Sequence, residues 1–167
     1  MSKRKILTIG LELASSETQY ANFRSKLSLL DWDIILFKPE IGDFVEYYTE
    51  NYLGKPSLSD TSSFQLKECC EHWRREIKQA IETGKTVLLF LPSLYEVYID
   101  TGQRTYSGTG RNQKTTRHVA PYNNYAAIPA SLTPVPSTGS AMKLTSRGSE
   151  EIAAFWKEFE NDCTFKV

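Results

Sequence analysis

The chain has 167 residues, with 20 Lys+Arg against 20 Asp+Glu, two His, three Cys and 12% aromatic residues. Its length favours a single domain, since domains cluster near ~100–150 residues. An apolar share of 40% with 24% charge excludes wholesale disorder and collagen-like repeats, and formal neutrality argues against a highly basic nucleic-acid protein.

An odd Cys count with Cys69 and Cys70 adjacent points to reduced thiols and a cytoplasmic setting, not a secreted disulfide framework. The apolar run behind the basic start, Ile6 to Leu13, carries Glu12 and is too short for a signal-peptide core. No later run approaches the ~20 residues of a membrane span.

Lys5 to Gly10 is a short β-branched run ending at glycine, which predicts a strand buried on both faces. Tyr20, Phe23, Leu27 and Leu30 then recur at helical spacing, so residues 18–30 are expected to form a helix. Ile34 to Phe37 is the next buried strand, completing one βαβ unit. Phe44, Val45, Tyr47, Tyr48 and Tyr52 suggest a short amphipathic segment before a Gly54-to-Asp60 loop.

Ser62 and Ser63 open the clearest helix, which ends at Gly84, a residue suited to a left-handed cap. Its expected buried stripe is Leu66, Cys69/Cys70, Trp73, Ile77, Ala80 and Ile81. Thr86 to Leu91 is a third buried strand, stopped by Pro92. Tyr95 to Asp100 alternates as an edge strand or hairpin arm does, and residues 101–118 are predicted to be a long loop or arm. Four prolines in 121–140 favour extended or turn structure. A last strand is expected at Ala141 to Thr145, and a capped helix from Ser149. The expected fold is α/β: a three-layer sandwich on a mostly parallel sheet, with an added edge hairpin and a long basic loop. Within one domain, residues 1–92 form the core, 93–148 the edge strands and loop, and 149–167 the final helix.

Charge is unevenly spread. From Thr101 to Ser149 there is no Asp or Glu, while Arg104, Arg111, Lys114, Arg117, Lys143 and Arg147 give +6. The first 100 residues carry 12 bases and 15 acids, and the last 18 carry two and five, so each flank is −3. Within the basic stretch, Gly108 and Gly110 permit positive φ and close backbone approach, and Ser107, Arg111 and Lys114 add donors for an anion. Arg104, Ser107, Gly108, Gly110, Arg111, Lys114 and Arg117 are therefore the anion-binding candidates. The competing expectation is a solvated arm whose bases pair with acids of the same fold.

Glu68, Cys69, Cys70, Glu71, His72 and Glu76 concentrate reactive residue types, but their spacing matches no zinc motif, and a polar helix face with buried thiols is expected. No metal or cofactor is predicted. Ligands of open α/β sheets bind beyond the carboxyl ends of the strands, which makes Glu12, Glu40 and Ser93 the catalytic candidates.

The passage from Trp73 through Gly84 to Leu91, with Lys5–Gly10 and Leu30–Phe37, resembles the class I glutamine-amidotransferase-like, flavodoxin-like superfamily, including its trehalose-utilisation-type branch. The resemblance covers residues 5–92 and implies a Rossmann-like sandwich with a Cys nucleophile after the third strand, then a His and a Glu. Leu91-Pro-Ser-Leu stands there instead, without the Cys, its glycines or a following His-x-Glu, so glutaminase activity is not implied. The Ser107-to-Asn112 segment is similar to one in longer bacterial proteins, which implies an amino-terminal module of a larger polypeptide. The leading expectation is a non-catalytic module that binds a phosphate-bearing ligand or a protein partner. One alternative is a hydrolase or transferase acting on a phosphorylated or nucleotide substrate, using Ser93 or the Glu12/Glu40 carboxylates beside Arg111. Another is weak nucleic-acid binding through the 104–118 arm, with Tyr98, Tyr106, Tyr122 and Tyr125 as stacking surfaces.

Overall fold

Short apolar runs and one long helix organise the computed structural model, which describes residues 4–132. Ile6–Ile9 (β1), Thr18–Ala21 (β2), Ile34–Phe37 (β3) and Thr86–Leu89 (β6) form a parallel four-stranded sheet in the order β2-β1-β3-β6. Glu50–Tyr52 (β4), Lys55–Ser57 (β5), Glu96–Ser107 (β7) and Lys114–Asn123 (β8) form a second sheet in the order β4-β5-β7-β8. The helix Asp60–Glu82 (α1) touches β6 of the first sheet and β7 of the second. The class is α/β, with a parallel sheet and one long helix among the described residues. The strand expected at 141–145 and the helix expected from Ser149 lie outside them.

Successive side chains of β1 and β3 point to opposite faces and both faces are buried, with Thr8 and Leu36 on one and Leu7, Ile9, Ile35 and Phe37 on the other. Leu7, Ile9, Ile35 and Phe37 enter a core shared with Leu66, Trp73 and Ile77 of α1 and with Val97 and Ile99 of β7. Phe37 meets Trp73 at 5.8 Å between ring centroids and Phe23 at 5.9 Å, so aromatic edges tie sheet, helix and loop together. Among the described residues β6 is an edge strand, with Val87 and Leu88 half-buried; it ends at Leu89, short of the expected Leu91, with Phe90 still donating its N–H to the Phe37 carbonyl at 2.8 Å.

α1 begins two residues earlier than expected, because the Ser59 hydroxyl accepts the Ser62 N–H at 3.2 Å as an N-cap. Gly84 takes φ +78° just past the helix end, as its position predicted. Ile81 is 54% exposed and leaves the expected stripe, since it sits one residue, about 100°, around the helix from buried Ala80.

The helix expected over 18–30 is absent. Thr18–Ala21 instead pairs in parallel with β1, and residues 22–33 run irregularly. Tyr20 and Leu27 are 45% and 39% exposed, whereas Ala21 and Phe23 are buried, so the apolar spacing does not form one inward face. α1 side chains replace the missing helical hydrogen bonds. Trp73 Nε1 donates to the Phe23 carbonyl at 2.6 Å, Cys69 Sγ donates to the same oxygen at 2.9 Å, and Glu76 Oε2 accepts the Leu29 N–H at 2.7 Å. His72 Nε2 lies 3.1 Å from the Leu27 carbonyl.

Two other segments differ from expectation. Residues 42–52 hold a 3-10 turn at Gly42–Phe44 and the β4 strand, with Tyr47 and Tyr48 fully or largely exposed, so no amphipathic face is built there. Residues 101–118 are mostly a strand pair and not a loop. Threonine and tyrosine suit extended backbone, and the lack of aliphatic side chains reflects two wet faces.

The Glu76 strap has a measurable value. Glu76→Ala leaves the Leu29 N–H without its charged acceptor and should cost about 1–3 kcal/mol. Glu76→Gln keeps a carbonyl acceptor and should cost less. Urea unfolding followed by tryptophan fluorescence measures both.

Candidate functional site

The strand order reverses between β1 and β3, and the chain beyond their carboxyl ends is drawn tight there. Gly10, at φ +63°, lies so close to the Lys38 carbonyl that a Cβ would collide with it. The Lys38 N–H returns to the Ile9 carbonyl at 2.9 Å. A hollow of about 200 Å³ opens instead beyond β3 and β6, lined by Pro39, Glu40, Pro92, Ser93, Tyr95 and Asn124 among others.

Asn124, 1% exposed, fixes the floor of this hollow. Its Nδ2 donates to the Ser93 carbonyl at 3.1 Å, and its Oδ1 accepts the Tyr95 N–H at 3.1 Å. The Tyr125 hydroxyl donates to the Pro92 carbonyl at 2.9 Å. Glu40 and Ser93 are thus brought together, whereas Glu12 is exposed on the loop after β1 and does not line the hollow. Glu40 pairs with Lys38 at 2.7 Å. Neither His is at hand: His72 is bound to the Leu27 carbonyl and His118 contacts Thr105 across the second sheet. No histidine therefore stands among the lining residues, and the one carboxylate there, Glu40, is engaged by Lys38.

The helix-borne cluster of reactive types is structural. Burial pushes the Cys69 thiol up to about 11 and the Cys70 thiol up to about 12, so both stay protonated and poorly nucleophilic. Among the described residues no group of three or more His, Cys, Asp or Glu is placed to hold a metal ion.

The basic candidates occupy the outer part of the second sheet. β7 and β8 pair antiparallel from Glu96↔Asn123 to Asp100↔Val119, then again from Arg104↔Arg117 to Ser107↔Lys114, with an irregularity between. Gly102, at φ +79°, sits in that irregularity and donates its N–H to Asp100 Oδ1 at 2.5 Å. Arg104 and Arg117, directly opposite each other, both turn to the body of the domain. Arg104 reaches Asp60 Oδ2 at 2.6 Å and Asp100 Oδ1 at 2.9 Å. Arg117 lies 3.5 Å from Asp60 and 3.4 Å from Asp100 Oδ2, and donates to the Leu58 carbonyl at 3.1 Å and the Ser57 hydroxyl at 2.8 Å. These two candidates are neutralised within the fold.

Asp100 is the buried partner, 5% exposed. Burial alone would raise its pKa, but the Arg104 hydrogen bond and the Gly102 N–H outweigh that and hold it at about 2 against an ordinary 3.8.

The remaining candidates cap the ribbon. Gly108, at φ +83°, passes so close to the Asn112 carbonyl that a Cβ would clash, and Gly110 takes φ +58°. The Asn112 and Gln113 N–H groups are spent inside this turn, on the Thr109 and Gly110 carbonyls at 3.2 Å each. An anion at the tip would therefore meet the exposed Arg111 and Lys114 side chains more than a backbone nest. Ser107, opposite Lys114, is exposed beside them.

The sequence reading missed Asp60, Asp100 and Asn124. Arg104 and Asp60 stand 44 residues apart, and no local motif signals such a pairing. Set against known proteins, the chain matches no family model, no curated protein and no solved structure.

Two outcomes follow for the ion cluster. Asp100→Asn should destabilise far more than Asp60→Asn, whose 63%-exposed side chain is worth about 0–1 kcal/mol. Because the folded pKa of Asp100 lies below its unfolded value, its contribution is complete above the ordinary 3.8 and is lost as pH falls toward about 2. The stability gap between wild type and Asp100→Asn, measured by urea unfolding, should be widest at pH 5 and close toward pH 2.

Proposed function

We propose that this chain is a non-catalytic binding module that engages an anionic ligand or partner through the tip of the β7–β8 ribbon. One observation carries the reading. Of the four bases on the arm, Arg104 and Arg117 are held by Asp60 and Asp100, while Arg111 and Lys114 have no carboxylate within salt-bridge distance among the described residues. The anchored pair stiffens the base of the ribbon, and the exposed pair offers charge-assisted donors at its end.

The scaffold reading is Rossmann-type and flavodoxin-like. The parallel order β2-β1-β3-β6 supports it, being the order with which such sheets begin. The three-layer arrangement needs cover on both faces of that sheet: α1 covers one, and on the other Thr8 and Leu36 are buried. A cytoplasmic setting agrees with the two buried free thiols. No helix among the described residues is long and apolar enough to cross a membrane.

The hydrolase or transferase reading rests on a separate observation, the meeting of Glu40 and Ser93 in one hollow. β7 starts just past that hollow and runs for 12 residues, about 40 Å when extended, toward the turn that carries Arg111. Arg111 therefore does not serve chemistry at Ser93.

Inorganic tripolyphosphate is a suitable probe. Titration followed by amide NMR should shift residues 107–114. Arg111→Gln combined with Lys114→Gln should weaken binding at least tenfold, and Ser93→Ala should leave it unchanged. Binding that survives the double substitution, or that maps to Ser93, would remove the reading.

A further inference from the structure

Past Asp100 the β7–β8 pair leaves the rest of the sheet. β7 pairs with β5 only at Ser57↔Tyr98, so among the described residues the outer ribbon has two open edges. Thr105, Tyr106, Ser107, Lys114, Thr115 and Thr116 are all exposed, so both faces are wet as well. A bare two-stranded ribbon gains little stability in water by itself. Here it is secured only at its base, by the two arginines.

Its side chains say what it suits. Residues 101–118 contain no acid and no aliphatic side chain, but hold Gln103, Asn112, Gln113, Arg111, Lys114 and a run of threonines. A protein-binding surface wants aromatic or apolar anchors at its centre, and Tyr106 is the single aromatic in this stretch. Single-stranded nucleic acid wants a row of stacking rings. That row is not available: Tyr98 is packed edge-on to Tyr52 at 4.9 Å, Tyr122 packs against the core, and the Tyr125 hydroxyl is bound to Pro92. Double-stranded RNA presents a major groove too narrow to admit side chains.

Duplex DNA fits what remains. Its major groove, about 12 Å wide, admits a two-stranded ribbon whose strands lie about 4.8 Å apart. Amide and hydroxyl side chains match base edges there, and Arg111 and Lys114 match phosphate. Resting on the anionic-partner reading above, we infer that the outer β7–β8 ribbon inserts into the major groove of duplex DNA, with Arg111 and Lys114 on the phosphates.

The test uses the full chain and fluorescence anisotropy with a labelled 20-base-pair DNA duplex. Two phosphate contacts give a log–log salt slope of about −2, so affinity should fall about tenfold between 50 and 200 mM salt. Arg111→Gln with Lys114→Gln should flatten that slope and weaken binding about tenfold at low salt. A duplex whose major groove is filled by glucosylated hydroxymethylcytosine should bind several-fold more weakly than the plain one. Equal or tighter binding of single-stranded DNA, duplex RNA or poly-glutamate, or indifference to groove filling, overturns the inference. Binding of tripolyphosphate without binding of the duplex overturns it while leaving the anionic-ligand reading intact. Binding of neither removes both.

Discussion

The buried carboxylate of Asp100 sits where the second sheet stops being part of the core, and the outer architecture depends on it. Its backbone N–H donates to the Ser63 hydroxyl at 2.9 Å, and its carbonyl accepts from Lys67 Nζ at 2.9 Å, so α1 holds the strand from below. Its side chain receives Arg104, Arg117 and the Gly102 N–H. A buried charge is tolerated only when paired and hydrogen-bonded, and each of these partners also fixes a piece of geometry. Gly102 sets the irregularity, the arginines set the departure of the ribbon, and Asp60 at the first turn of α1 shares both guanidinium groups. The node converts a desolvation cost into an orientation.

α1 plays the corresponding role for the first sheet. Its Cys69, His72, Trp73 and Glu76 look like chemistry when read along the chain, yet each faces a backbone group of residues 23–29. An irregular segment packed against a core must satisfy its N–H and C=O groups somewhere. The helix provides donors and acceptors at the spacing of its own turns, which lets residues 22–33 cross from β2 to β3 without a helix of their own. Reactive residue types are consumed by structure, and elevated thiol pKa values are the electrostatic signature of that burial.

What the sequence made legible follows the range of the interaction concerned. β1, β3, α1 and the glycine after it depend on apolar period and capping, both of which are local. The helix expected at 18–30 failed because Tyr20, Phe23, Leu27 and Leu30 satisfy helical spacing by coincidence, and the deciding hydrogen bonds come from residues 69–76. The strand character of 101–118 was hidden because both faces are wet, so no alternation of apolar and polar residues marks them. At the candidate site, Glu40 and Ser93 were found by the rule that loops at strand ends converge. Asn124, which fixes the position of Ser93, was invisible because its partners are about 30 residues away.

Charge is the last step. An equal count of acids and bases hides an acid-free stretch of +6 between two flanks of −3. The structure divides that stretch again: Arg104 and Arg117 are cancelled by Asp60 and Asp100, and Arg111 and Lys114 are carried away from those acids on the turn. At about 0.1 M salt a charge is screened over about 10 Å, so the acids of the body reach the tip only weakly. Distance along the ribbon, not total charge, is what leaves a positive end on a neutral protein. Contacts made there are few and strongly dependent on salt, and their specificity has to come from the hydroxyl and amide side chains that line the same two strands.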